Sequence, residues 1–150
     1  MKGRIEIRPM KVDDLREIYL LGHEAFGDHW SPLQPAWNEA NLADVMAGDG
    51  LCLVAASKKS IDGFIIVSLE ESGGHACAVI RWLCTRENKP AGLLTDMLSA
   101  LKSTLVERKI EKIIVSIPVE NTELIEYYRN FGFTESNRFI IMENFSPEKS

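Results

Sequence analysis

Between Leu51 and Thr85 three apolar, strand-like runs follow one another with only short connections, and the chain then switches to a helical period. Leu51 to Ala56 and Ile61 to Leu69 are joined by Ser57-Lys58-Lys59-Ser60, and Ser72-Gly73-Gly74 makes the turn into a third run from His75 to Thr85. Connections this short join antiparallel neighbours, so the segment reads as a meander. Beyond it Leu94, Met97, Leu98, Leu101 and Leu105 recur on one helical face, with Asp96, Lys102, Glu107 and Arg108 turned away. A sheet followed by an amphipathic helix has to bury one against the other, which makes an α/β layer.

The flanking segments extend the same plan. Arg4-Ile5-Glu6-Ile7-Arg8 alternates with period two and stops at Pro9. Asp13 and Asp14 open a helix whose apolar positions are Leu15, Ile18, Leu21 or Gly22, Ala25 and Phe26. Gly27 to Pro35 lacks a period and reads as a loop before a second helix from about Trp37 to Met46. Ile113-Ile114-Val115-Ser116-Ile117 is expected to be a central strand covered from both sides. Asn121 is placed as an N-cap and Gly132 as a left-handed C-cap, and Arg138 to Met142 reads as a last strand. The expected order is β-α-α-β-β-β-α-β-α-β-β, an α/β (α+β) domain spanning 1–150 with a polar tail over 146–150.

Composition narrows the partners. Lys plus Arg is 17 against Asp plus Glu 22, a net charge of −5 with no basic run, which speaks against a nucleic-acid surface. Cys52, Cys77 and Cys84 sit in strand-like runs without metal-ligand spacing, so they read as small buried hydrophobes in a reducing compartment, and no metal is expected. No apolar stretch is long enough to cross a membrane and the N-terminus has no signal-like apolar region. The expectation is a soluble, cytoplasmic protein.

Two stretches can carry chemistry. From Cys84 to Leu98 a strand passes through Lys89-Pro90-Ala91-Gly92-Leu93-Leu94 into a helix, leaving backbone N–H groups and a positive dipole end where phosphate oxygens could sit, or forming an ordinary strand-to-helix turn. From Asn121 to Phe133, Leu124, Tyr128 and Phe131 share one helical face. Tyr128 therefore points inward, as a core aromatic or as a phenol lining a cleft.

Together these segments resemble the GNAT (GCN5-related) N-acetyltransferase superfamily, over nearly the whole chain from Ile5-x-Ile7-Arg8-Pro9 and Asp14 to Phe145. The family's [QR]-x-x-G-x-[GA] loop falls on Lys89, Pro90, Ala91, Gly92, Leu93 and Leu94, and its N-x-x-x-x-x-x-Y-x-x-x-G-F pattern is met by Asn121, Tyr128, Gly132 and Phe133. Lys89 keeps a cation where the family has Gln or Arg, Pro90 removes one N–H, and Leu94 replaces a small residue. The resemblance implies a mixed, mostly antiparallel twisted sheet of about seven strands flanked by about four helices. It implies acetyl-CoA as co-substrate, with backbone around Leu83, Cys84 and Thr85 holding the pantetheine and Asn121 helping to hold the cofactor arm. A backbone N–H near Leu83 or Cys84 would meet the thioester oxygen. Tyr128 would be the general acid toward the departing thiolate, after direct attack by a primary amine of a small molecule or a protein.

No carboxylate lies between Ala76 and Thr85, where many relatives carry a glutamate, so base candidates fall to Glu24, Asp28, His29, Glu70, Glu71 and His75. Ala25-Phe26-Gly27-Asp28-His29-Trp30 is similar to a segment of mycothiol synthase and related acetyltransferases, which implies an acceptor-side role for Asp28, His29 and Trp30. The degraded loop and missing carboxylate keep open a non-catalytic acyl-CoA-binding or regulatory module, or an interaction domain. Neither nucleic acid nor membrane is expected as a partner, and edge strands around Phe139 to Met142 could pair in a homodimer.

Overall fold

The computed structural model describes residues 4–27, 36–48, 50–87 and 90–136, with Ile140, Met142 and Asn144. They fall into two compact units, Met1–Ser116 and Ile117–Ser150. The first holds β1 (Glu6–Pro9), α1 (Leu15–Phe26), α2 (Glu39–Ala47), β2 (Leu51–Ala56), β3 (Ile61–Ser72), β4 (His75–Thr85), α3 (Leu93–Glu107) and β5 (Lys112–Ile114). The second holds α4 (Thr122–Phe131).

In the first unit the sheet order is β1-β2-β3-β4-β5, antiparallel throughout except for the parallel β4–β5 pair. The described residues therefore contribute five strands where about seven were expected. Arg138, Phe139 and Ile141 of the expected last strand lie outside the described residues. Its described members, Ile140 and Met142, form no strand and are exposed. The expected central strand at Ile113 to Ile117 is also shorter than its apolar run: pairing stops at Ile114, which is exposed. Pairing rather than hydrophobicity sets a strand's length, and β4 offers β5 only Cys77 to Val79.

One face of the sheet packs on α1 and α2. Ile18, Leu21, Trp37 and Leu42 meet Cys52, Val54, Phe64, Ile66, Trp82 and Cys84 in a continuous core. At its centre the Trp37 ring lies 5.3 Å from Phe64 and 5.1 Å edge-on from Trp82, while its Nε1–H donates to the Tyr19 carbonyl at 2.9 Å. The second helix accordingly starts two residues later than its pattern indicated. Asn38 caps it by accepting from the Asn41 N–H at 2.8 Å, which releases Trp37 to fill the core.

Asp14 ties the start of α1 to β1. Its carboxylate accepts two bonds from the Arg8 guanidinium, at 2.7 and 3.1 Å, and one from the Lys11 N–H at 2.8 Å. The Arg8 hydrogen bonds, and then the Lys11 N–H, hold its pKa below the ordinary carboxylate value against the opposing effect of burial. A depressed carboxylate pKa contributes stability that is complete above about pH 4 and is lost as the pH falls through the folded-state value. Asp14→Asn is expected to cost about 2–4 kcal/mol at pH 7, because it leaves a mostly buried guanidinium short of its partner. Urea unfolding would show the gap from the parent narrowing toward pH 2. A gap independent of pH would contradict the ionic account.

Candidate active site

The strand β4 is paired with β3 along its length, but β5 covers its other flank only over Cys77 to Val79. From Ile80 to Thr85 that flank has no strand partner among the described residues. The register shows which backbone groups face it. Arg86 N–H donates to Asp62 C=O at 2.7 Å across the Gly63–Thr85 pair, so Gly63–Thr85 is a non-hydrogen-bonded pair and Phe64–Cys84 a hydrogen-bonded one. By alternation Leu83 and Thr85 direct their N–H and C=O groups away from β3, to the open flank, whereas Cys84 turns its own toward β3. Of the two amides expected near a thioester oxygen, Leu83 therefore faces the opening and Cys84 does not.

A bulge sits just past the end of the β4–β5 pairing. Ile66 pairs with Trp82 and Val67 with Ile80, which leaves Arg81 as the extra residue. The insertion shifts the side-chain parity of the strand. Ala78 and Ile80 lie on the Val67 face of the sheet, while Arg81 joins Trp82 on the face covered by α1 and α2. There the Arg81 guanidinium donates to Ser68 Oγ at 2.8 Å and Glu70 Oε1 at 3.0 Å.

Beyond β4 the chain enters α3. Gly92, at φ +82°, precedes the helix without a capping side chain, and a Cβ there would meet nothing within 4 Å. The turn is closed by Leu93 N–H to Pro90 C=O at 3.3 Å, and Leu93 is buried while Ala91 and Gly92 are exposed. Leu94 is half-buried. Lys89 lies outside the described residues, as do Asp28, His29 and Trp30.

Cys84 is sealed between α1 and the sheet, with Sγ 3.9 Å from the Leu21 carbonyl. Burial, and secondarily the Glu24 carboxylate, push its thiol up to about 11; burial alone accounts for most of the rise of Cys52 to about 12. Burial and a raised thiol both work against Cys84 as a nucleophile. In the folded protein iodoacetamide at pH 8 should label the half-buried Cys77 well ahead of Cys84 and Cys52, as read by peptide mass spectrometry. Equal labelling of all three would contradict this packing.

The remaining base candidates separate. Glu24, on the last turn of α1, is near enough to Cys84 to act on its thiol. Glu70 is held by Arg81, and Glu71 and His75 are exposed beside the β3–β4 turn. Among the described residues no group of three or more His, Cys, Asp or Glu could hold a metal ion. Among them, too, no helix is long and apolar enough to cross a membrane.

In the second unit the N-x-x-x-x-x-x-Y-x-x-x-G-F pattern has a local explanation. Asn121 Oδ1 accepts from the Leu124 N–H at 3.2 Å, starting α4. Gly132, at φ +113°, ends it: Gly132 N–H bonds to the Arg129 carbonyl and Phe133 N–H to the Tyr128 carbonyl, both at 3.0 Å. This is a Schellman motif, and its usual apolar contact is the Tyr128–Phe133 ring pair, edge-on at 5.0 Å. Tyr128 is buried, and burial pushes its phenol up to about 12.

Sequence reading did not single out Arg81, which the bulge turns onto the helix-covered face. Its signal was weak, a single cation in an apolar strand, since no residue type marks a bulge.

No protein-family model matches the sequence, and no curated protein matches it. Solved structures do. The aminoglycoside N-acetyltransferase AAC(6')-Iy in complex with CoA superposes with a TM-score of 0.77 at 17% identity, over 96% of this chain and 97% of that one. An acetyltransferase of Trypanosoma brucei gives 0.73 at 19% identity, over 94% and 100%. The aminoglycoside acetyltransferase meta-AAC0020, from an uncultured soil metagenomic sample and in complex with trehalose, gives 0.73 at 16%, over 95% and 96%. With a mixed five-stranded sheet and four helices among its described residues, and superposing on these acetyltransferases nearly end to end, the chain has the GNAT fold.

Proposed function

We propose that the chain, as one domain over 1–150, is an N-acetyltransferase that moves acetyl from acetyl-CoA to a primary amine of a small molecule. The observation that carries this is the open flank of β4, where the Leu83 and Thr85 backbone groups lead toward the start of α3. An extended amide-bearing arm can bond to that flank as a strand would, and phosphate oxygens suit the helix N-terminus beyond it. These residues fit acetyl-CoA, although Pro90 withholds one N–H and Leu94 narrows the approach. Lys89 would add a cation and Asn121 would help to hold the cofactor arm.

Acetyl-CoA supplies the acyl group activated as a thioester. The Leu83 N–H would hold the carbonyl oxygen as charge develops on it. The amine nitrogen bonds to carbon, the carbon–sulfur bond breaks with its electron pair going to sulfur, the Tyr128 hydroxyl hydrogen-bonds to that sulfur while keeping its proton, and the amine's surplus proton leaves to solvent. The acceptors of AAC(6')-Iy and meta-AAC0020 support a small-molecule amine here. Asp28, His29 and Trp30 would line the acceptor side, in a cytoplasmic enzyme.

The test is acetyl-CoA-dependent release of free thiol across a panel of primary amines, with acetylated product identified by mass. Amine-dependent turnover is expected. The absence of a β4 carboxylate and the Pro90 and Leu94 replacements favour a second reading, an acyl-CoA-binding module without catalysis. Saturable acetyl-CoA binding with no turnover on any amine would establish that reading instead.

A further inference from the structure

We propose that the bulged start of β3, Ile61-Asp62-Gly63, acts with Arg86 as a positioning element for the co-substrate. It fixes the end of β4 against the first turns of α3, and so sets the spacing between the backbone flank at Leu83 and Thr85 and the helix N-terminus at Gly92. This rests on the acetyltransferase reading above and concerns that same site, in which the flank takes the pantetheine arm and the helix start takes the phosphates.

The bulge follows from the register. Ala55 of β2 pairs with Gly63 and Ala56 with Ile61, which leaves Asp62 as the extra residue on β3. Such an insertion bends its strand and re-aims the side chain that it carries. Asp62 meets Arg86, the first residue after β4. Arg86 N–H donates to the Asp62 carbonyl at 2.7 Å, its Nη2 donates to the Ile61 carbonyl at 2.7 Å, and its Nε lies 3.5 Å from Asp62 Oδ1. The bulge is itself braced. Asp62 Oδ1 accepts from Ser60 Oγ at 3.0 Å, and Ile61 N–H donates to Glu17 Oε2 of α1 at 2.9 Å. Arg86 is thus held by both backbone and side chain where the chain leaves the sheet.

Gly63 acts on the opposite face of the sheet. It pairs with Thr85, and so shares a face with Thr85 and Leu83. A Cβ there would lie 2.9 Å from the Cys84 carbonyl oxygen and 3.1 and 3.2 Å from Sδ and Cε of Met97. Met97 is fully buried, about one turn past the start of α3. Glycine inside a strand marks such a close approach, and here it lets α3 lie nearer to the sheet than a larger residue would. A ligand that engages two linked sites gains most when its length matches their separation, and loses that gain when they shift. The Arg86 clamp and the Gly63 notch keep either half of the site from moving alone.

Calorimetric titration of the full chain with CoA and with 3'-phosphoadenosine 5'-diphosphate, the phosphate-bearing half of CoA, separates alignment from direct contact. In Arg86→Ala and in Gly63→Ala the affinity for CoA should fall about 10-fold and that for the diphosphate less than about 2-fold, since only the linked ligand senses the spacing. Arg86→Lys, whose ammonium can still donate to the Ile61 carbonyl, should bind CoA more tightly than Arg86→Ala. Unfolding temperatures show which variants fold, and the two Arg86 variants carry the test if Gly63→Ala does not. Equal losses for CoA and the diphosphate would mean that these residues act at the phosphate end itself, and would overturn the proposal. Parental affinities in the variants would overturn it too, leaving the acetyl-CoA reading intact. A parent chain that does not bind CoA would overturn that reading, and the positioning role with it.

Discussion

Gly22→Ala is expected to destabilise the protein by about 3 kcal/mol or more, reversing the sign of an ordinary glycine-to-alanine change within a helix. An exposed helical position would gain about 1 kcal/mol from alanine. Here an added Cβ would lie 2.1 Å from Cε2 and 2.2 Å from Cζ2 of Trp37, far inside contact distance. The indole has nowhere to retreat: it is wedged against Phe64 and Trp82, and its Nε1–H is bonded to the Tyr19 carbonyl of the same helix. Overpacking typically costs 1–3 kcal/mol, and the loss of the indole hydrogen bond adds to it. A double-mutant cycle with Trp37→Leu is the check. Trp37→Leu alone should cost a few kcal/mol through lost volume, whereas Gly22→Ala in its presence should cost far less than it does alone. Additive effects would contradict the clash.

Tyr128→Phe is expected to lower kcat by about 10²-fold, in the usual range for removing one hydrogen-bond donor to charge that develops in the transition state, with little change in acetyl-CoA affinity or in unfolding temperature. The ring stays to fill the Schellman contact with Phe133, so only the hydroxyl is removed. A phenol pushed up to about 12 is a weaker acid than a thiol of about 8.5. Full proton transfer to a free thiolate would thus run uphill, so the role proposed for Tyr128 is that of a hydrogen-bond donor to the departing sulfur as charge builds on it. The pH dependence follows from the same value. Tyr128 remains protonated up to about pH 12, so kcat/KM should climb with deprotonation of the amine and show no falling limb below about pH 10. Unchanged turnover in Tyr128→Phe, or a falling limb near pH 8 that disappears in the variant, would contradict this role.

Much of the fold was legible because its elements are bounded by local chemistry. The bounds of β4, the buried face of α3 and both ends of α4 follow from alternation, helical spacing, and the Asn121 and Gly132 caps. The failures came where tertiary packing decides. Trp37 is apolar and lies next to a helical pattern, so it reads as helix, yet its place is set by Gly22, Phe64 and Trp82, which are remote in sequence. Ile113 to Ile117 is apolar on both faces, but its strand stops where β4 stops pairing with it.

The candidate site divides in the same way. The loop at Gly92 and the pattern around Tyr128 are sequence-local and could be read directly. The exit of Leu83 and Thr85 to an open flank depends on register. The turning of Arg81 onto the face covered by the helices depends on a bulge that leaves the buried-exposed alternation of β4 intact while moving it from one face of the sheet to the other.

Thermal unfolding with and without acetyl-CoA tests the central claim, that the open flank of β4 and the start of α3 still bind this co-substrate despite Pro90 and Leu94. At roughly 100 times its dissociation constant, acetyl-CoA should add about 2.7 kcal/mol. For a chain of this size that raises the unfolding temperature by about 5–10 °C. No shift at millimolar acetyl-CoA would contradict the account, leaving a GNAT fold whose cofactor site is closed.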